Sequence, residues 1–226
     1  MRVNEQGRSM IEMLGVLAIV GVLSVGGIAG YSKAMNKFKT NKAIDQINML
    51  STNIRTLFSS QGDYNGMDNQ VLINAGVIPS EMYKGKASAF QSEYGNLTNA
   101  FGGKAYIRPA NQNGTNDAYI IAVDGIPNSA CVVMASTDWG SDVGSGLAGM
   151  IIGAGTAATG GLGAVASDAE AGANLLSAAG TVTTATTSAG YFAPGAETAN
   201  NVTPLTVINA QKACASGTNT FVFKYI

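Results

Sequence analysis

The sequence contains no histidine, which removes the commonest general base and the commonest metal ligand from any chemistry the chain could perform. Its two cysteines, Cys131 and Cys214, are too few for a structural zinc site. Lys and Arg number 13 against 14 Asp and Glu, so the excess of positive charge expected of a nucleic-acid binder is missing. Basic residues are also absent locally. None occurs between Arg108 and Lys212, while Asp117, Asp124, Asp138, Asp142, Asp168, Glu170 and Glu197 all fall there. The part up to Arg108 holds eleven basic residues against seven acids. The acidic region reads as a solvated distal part, or as a partner for the basic front half of another copy. Proline is scarce too, with none before Pro79, so no proline interrupts a helix in the first third of the chain.

What the sequence does have is a long apolar, uncharged run near its start. MLGVLAIVGVLSVGGIAGYS, residues 13 to 32, would span roughly 30 Å as a helix, the thickness of a bilayer core. A cleavable secretory signal would want a small-residue site after the run, and AGYSKA offers a poor one. Beyond Lys33 the apolar residues Met35, Phe38, Ile44, Ile47, Leu50, Ile54, Leu57 and Phe58 recur at helical spacing, and the first strong stop is Gly62. Span and amphipathic stretch therefore read as one helix from near Arg8 to about Ser60. Glycines at 15, 21, 26, 27 and 30 each cost such a helix about 1 kcal/mol against alanine, but permit close helix packing in a membrane.

After Gly62 the texture is that of a small α+β domain. VLINAG reads as a short helix closed by glycine. GGKAYIRP and DAYIIAVDG read as neighbouring strands, and NTFVFKYI as a third. NSACVVMAS fits a strand or a short capped helix, and periodicity does not separate the two. An even pair of cysteines downstream of a membrane segment suggests one disulfide, Cys131 to Cys214, in an oxidising compartment; the other reading is two buried thiols.

Between the cysteines lies a Gly/Ala/Thr-rich segment, about 140–200, read as a low-complexity insertion that is partly helical in SDAEAGANLLSAAG. GLAGMIIGAG within it has the composition of a second membrane span with small-residue packing, a reading that its glycines weaken. GSGLAG matches G-x-G-x-x-G, with Asp168 about 20 residues on, but a polar stretch precedes it and no βαβ pattern follows. Without histidine no ordinary nucleophile–base pair assembles, and Ser–Lys chemistry has no signature here. The expectation is a protein that is no enzyme and carries no metal or cofactor.

One constellation remains. A short polar leader ends at Gly7, followed by Arg8-Ser9-Met10-Ile11-Glu12 and the apolar helix. This arrangement resembles a type IV prepilin. The resemblance implies a cut after Gly7 by a membrane aspartyl prepilin peptidase, a new N-terminus at Arg8 that is usually methylated, and Glu12 as the fifth residue of the mature chain. Gly15 has Val20 at the matching place, so it is no alternative cut site. Arg8 departs from the family pattern, whose members mostly begin with Phe or another apolar residue. Further along, AGVIPSEM, NAFGGKAYI, PNSACVVMAS and ACASGTNTFVF are similar in order to class IVb pilins, including a disulfide-bounded region near the C-terminus. The seven-residue leader is shorter than is usual for that class.

The resemblance implies an α+β pilin fold, a long N-terminal helix packed on a small antiparallel sheet with one disulfide. Its boundaries would be a leader at 1–7, an apolar membrane and polymerisation helix at 8–32, the amphipathic half at 33–61 and a globular domain at 62–226. It implies a structural subunit of a IVb-like pilus, held in the bacterial inner membrane with its domain outside and then polymerised into a surface fibre. Implied partners are other copies, the prepilin peptidase, an assembly platform with its ATPase, and a host-cell or surface target. A minor pilin or secretion pseudopilin is the alternative within the family. A single-span anchored binding domain that never polymerises is the alternative outside it. One feature points the other way. Lys33, Lys37, Lys39 and Lys42 follow the span, while Arg2 and Arg8 before it are offset by Glu5 and Glu12. The positive-inside rule would put the domain in the cytoplasm. Both the disulfide and the prepilin pattern put it outside.

Overall fold

The computed structural model describes residues 10–83, 97–110, 115–140, 146–154, 189–192, 204–214 and 217–226. The chain divides into two compact units, Met1–Phe38 and Lys39–Ile226. Helix α1, Met10–Phe58, runs through the division as a single element of 49 residues. It begins and ends within a few residues of the expected limits, because neither proline nor a left-handed turn intervenes before Gly62.

In the first unit, Met10 and every residue after it through Ala34 are exposed. Two serines in this stretch turn their hydroxyls back to the helix, Ser24 to the Val20 carbonyl at 2.7 Å and Ser32 to that of Ile28 at 3.0 Å. That satisfies both polar groups without water, as an apolar surrounding requires.

The second unit is built on a six-stranded sheet in the order β1-β2-β3-β6-β4-β5. Its strands are β1 Leu97–Thr98, β2 Lys104–Ala110, β3 Ala118–Pro127, β4 Leu147–Ala154, β5 Ala189–Phe192 and β6 Thr218–Tyr225. Every pairing is antiparallel. The expected neighbours GGKAYIRP and DAYIIAVDG are β2 and β3, and NTFVFKYI is β6, inserted between β3 and β4. Among the described residues β1 pairs with β2 only at its start, through Lys104 and Ala105, so Pro109 interrupts no described ladder on the outer edge. Alternate residues Tyr119, Ile121 and Val123 of β3 and Phe221, Phe223 and Tyr225 of β6 join the core with Ala43, Ile47, Leu50, Ile54 and Phe58 of α1. The helix spacing of four, three, four and four is the amphipathic stripe. Phe38 and Leu57, expected on it, lie off it and are exposed.

Three short α-helices are described in this unit, besides a 3-10 turn at Ser80–Met82. α2, Asn69–Asn74, is capped by the Asp68 carboxylate, which accepts from the Val71 N–H at 2.7 Å. NSACVVMA is helical, as α3 Asn128–Ala135, which decides between the two sequence readings. α4, Val207–Ala213, starts at the Thr206 hydroxyl, which accepts from the Asn209 N–H.

The segment 140–200 departs from the low-complexity expectation at both of its described parts. LAGMIIGA is strand β4, paired with β6 along its length, and AGYF is β5. The second-span reading of GLAGMIIGAG is thereby replaced by a sheet strand. The nucleotide-loop reading fails as well, since the glycines lead into a strand and no helix. The helical expectation for SDAEAGANLLSAAG lies outside the described residues, as do Gly7, Arg8 and the leader.

Candidate assembly site

The described part of the first unit presents the apolar half of α1 to any partner. An 18-residue window there has mean hydropathy 2.2 and is 0% buried. Glu12 lies in the first helical turn, where the unpaired N–H groups and the macrodipole favour a carboxylate, and its side chain is exposed. A methyl added at Gly15, Gly21, Gly26, Gly27 or Gly30 would meet nothing within 4 Å, so these glycines are not demanded by packing inside the chain. They leave the helix narrow on its outside. That is what close approach of another helix requires.

Three devices hold the second unit together, the first two of them on α1. Gln46, buried on α1, donates to Glu81 Oε1 at 2.8 Å and accepts from the Ala100 N–H at 3.2 Å. Lys42 reaches the other oxygen of Glu81 at 2.7 Å. Those bonds to Lys42 and Gln46 hold the Glu81 carboxyl below the usual carboxylate range. A second cluster surrounds the end of α1. The Tyr119 hydroxyl donates to the Ser51 carbonyl at 3.0 Å, its ring stacks on Tyr225 at 5.4 Å, and Arg55 lies over Tyr225 at 5.5 Å. Burial pushes both phenols well above the usual tyrosine value, against the opposing pull of Arg55.

The third device is the disulfide. Cys131 on α3 and Cys214 at the end of α4 are bonded, with Cα atoms 5.8 Å apart, and both are fully buried. The pair expected from the sequence is therefore brought together. Trp139 closes the same region, donating to the Met134 carbonyl at 2.8 Å and packing on Phe223 at 4.6 Å. Among the described residues no cluster of acids and cysteines is suited to a metal ion.

Sequence reading missed Gln46, Glu81 and the Arg55–Tyr119–Tyr225 group. A polar residue one place before Ile47 reads as solvated in any periodic scan, and only the fold shows that Glu81 and Ala100 come to meet it. It also missed Lys224, fully buried on β6, where desolvation lowers its affinity for the proton.

A family model described as Bundlin matches residues 32–188. The major structural subunit of the bundle-forming pilus of Escherichia coli O127:H6 (strain E2348/69 / EPEC) is 31% identical over 137 residues, 61% of this chain and 67% of that protein. The same subunit of Escherichia coli O111:H- gives the same figures. Two solved structures match at lower similarity. The type IV pilin TcpA from Vibrio cholerae El Tor has a TM-score of 0.49 at 16% identity, covering 83% of this chain and 99% of that one. The type IVb pilin from Salmonella typhi has a TM-score of 0.45 at 20% identity, covering 82% and 97%. With a family match over more than half its length, the chain belongs to the bundlin family.

Proposed function

We propose that this chain is the structural subunit of a IVb-like pilus fibre, trimmed after Gly7 and polymerised through the first half of α1. The observation that carries the reading is the apolar, wholly unburied half of α1 on a member of the bundlin family. Such a surface must be covered by lipid before assembly and by other copies afterwards. The protein works by assembly rather than by catalysis.

A carboxylate at the centre of a bilayer costs about 2.5–3.5 kcal/mol, and less toward the edge where Glu12 sits. A cation nearby removes that cost. In the proposed fibre it is the amine freed at Arg8 of a neighbouring copy, and the pair also sets the axial register of one helix against the next. The domain limits follow: 1–7 is the leader, 8–32 the polymerisation helix, 33–61 the half that anchors the domain, and 62–226 the surface of the fibre. Processing assigns a membrane prepilin peptidase as partner, and extrusion an assembly platform driven by a cytoplasmic ATPase. The precursor waits in the inner membrane with Cys131 and Cys214 on the oxidising side. A host-cell or surface target would be met by the domain.

The test is Glu12→Gln, which keeps size and removes charge. Fibres recovered by shearing should fall at least tenfold while precursor trimming and domain folding stay unchanged. Normal fibre yield from Glu12→Gln would reduce Glu12 to a helix-start acid. Failure of the unaltered chain to enter any fibre would favour an anchored domain that does not polymerise.

A further inference from the structure

The basic residues after the apolar run stand on the side of the membrane where the positive-inside rule gives no reason for them. Two of them, Lys33 and Lys37, are exposed and belong to the same compact unit as the span. They lie four residues apart, on one face of α1. On the opposite face, seven residues apart, stand Tyr31 and Phe38, 66% and 62% exposed. Neither lysine is in an ion pair among the described residues, and Glu12 is the sole acid of this unit's described part, near the other end of the span.

We infer that Lys33 and Lys37 form a clamp for the phosphate of an anionic phospholipid in the outer leaflet of the membrane that holds the precursor. The inference rests on the membrane-held stage proposed above. The uncharged run ends at Ser32, so Lys33 sits at the hydrocarbon boundary and Lys37 about 6 Å above it, inside the headgroup layer. Side chains on a helix lean toward its N-terminus, which here is the direction of the bilayer, so both ammonium groups are aimed down at the phosphates. Their alkyl stems cover apolar surface while the charged ends stay wet. The Tyr31 ring has the apolar body and polar tip that favour the same boundary. Each lysine near an anionic surface strengthens attraction about fivefold, so the pair gives an effect large enough to read. Carboxylates of a neighbouring copy are the competing partner. They would act only in the fibre, after the lipid is gone.

The experiment uses the full chain in vesicles of phosphatidylcholine carrying a trace of spin-labelled phosphatidylglycerol or spin-labelled phosphatidylcholine. Resistance to alkaline extraction first establishes insertion. The inserted chain should retain the labelled phosphatidylglycerol several-fold over the phosphatidylcholine, and the preference should vanish in Lys33→Gln/Lys37→Gln and weaken in high salt. Lys212→Gln, at an exposed position of α4, should leave it intact. Equal retention of both lipids by an inserted chain, or an undiminished preference in the double variant, overturns the clamp alone. Loss of fibres without any lipid preference would assign the lysines to contact between copies and also overturn it. A chain that alkali extracts completely refutes the membrane stage, and the clamp with it.

Discussion

Replacing Cys131 and Cys214 together by alanine tests how the outer part of the domain is held. The bond closes a separation of 83 residues. For a loop of that size the chain-entropy model gives about 4.5 kcal/mol, while bonds in real proteins contribute about 2–4 kcal/mol. The expected loss is therefore about 3 kcal/mol, or roughly 6–12 °C in Tm for a domain of this size. The loss should also be uneven. α4 has seven residues, too few to persist alone, and apart from Cys214 it is tied by buried Ala210 and by the Leu205 N–H bond to the Ala135 carbonyl. Trypsin should then cut at exposed Lys212 well before the sheet unfolds. Guanidinium unfolding is conveniently followed by Trp139, the one tryptophan, which packs on Phe223 beside α3. An unchanged midpoint and slope, with no faster cleavage at Lys212, would refute the reasoning.

Gln46→Ala should cost about 1–2 kcal/mol in denaturant unfolding, because it strips the half-buried Ala100 N–H of its acceptor and Glu81 of a donor. Lys42→Ala should cost under about 1 kcal/mol by the same measurement, since Lys42 and Glu81 are 35% and 45% exposed. Gly103→Ala should cost about 1–3 kcal/mol, because the added methyl would run into the Asp124 carbonyl oxygen, where the bulge at Gly125 (φ 68°) brings β3 against the start of β2. Gly217→Ala, with open space at its Cβ, is the control and should change little. Tyr119 and Tyr225 hold their protons more tightly folded than unfolded, so stability should be flat below an unfolded value of about 10 and fall as pH rises past it. Urea midpoints between pH 8 and 11 check this, and Tyr119→Phe should flatten the decline.

The elements that could be read in the sequence were those with an uninterrupted period. α1 carries its stripe through Ile47, Leu50, Ile54 and Phe58, and β6 alternates Phe221, Phe223 and Tyr225 into the core. β4 was hidden for a physical reason. A register shift between Leu147 and Gly149 puts Leu147 and Met150 in the same core although they are three residues apart. That spacing destroys the alternation by which a strand is recognised, and the glycines on either side dilute what remains. The polar devices of the domain were invisible for a different reason. Gln46, Glu81 and Ala100 are far apart in sequence, and nothing local to any of them announces the others. The proposed assembly end is the opposite case, since Gly7, Arg8, Glu12 and the run behind them are contiguous. Their meaning is chemical order along the chain rather than folded proximity.

In the proposed fibre Glu12 awaits an amine which exists only after the leader is removed. The most direct measurement is the N-terminal sequence and intact mass of the protein sheared from the cell surface. The expected result is a chain beginning at Arg8. A mature chain that begins at Met1, or at any residue other than Arg8, contradicts it.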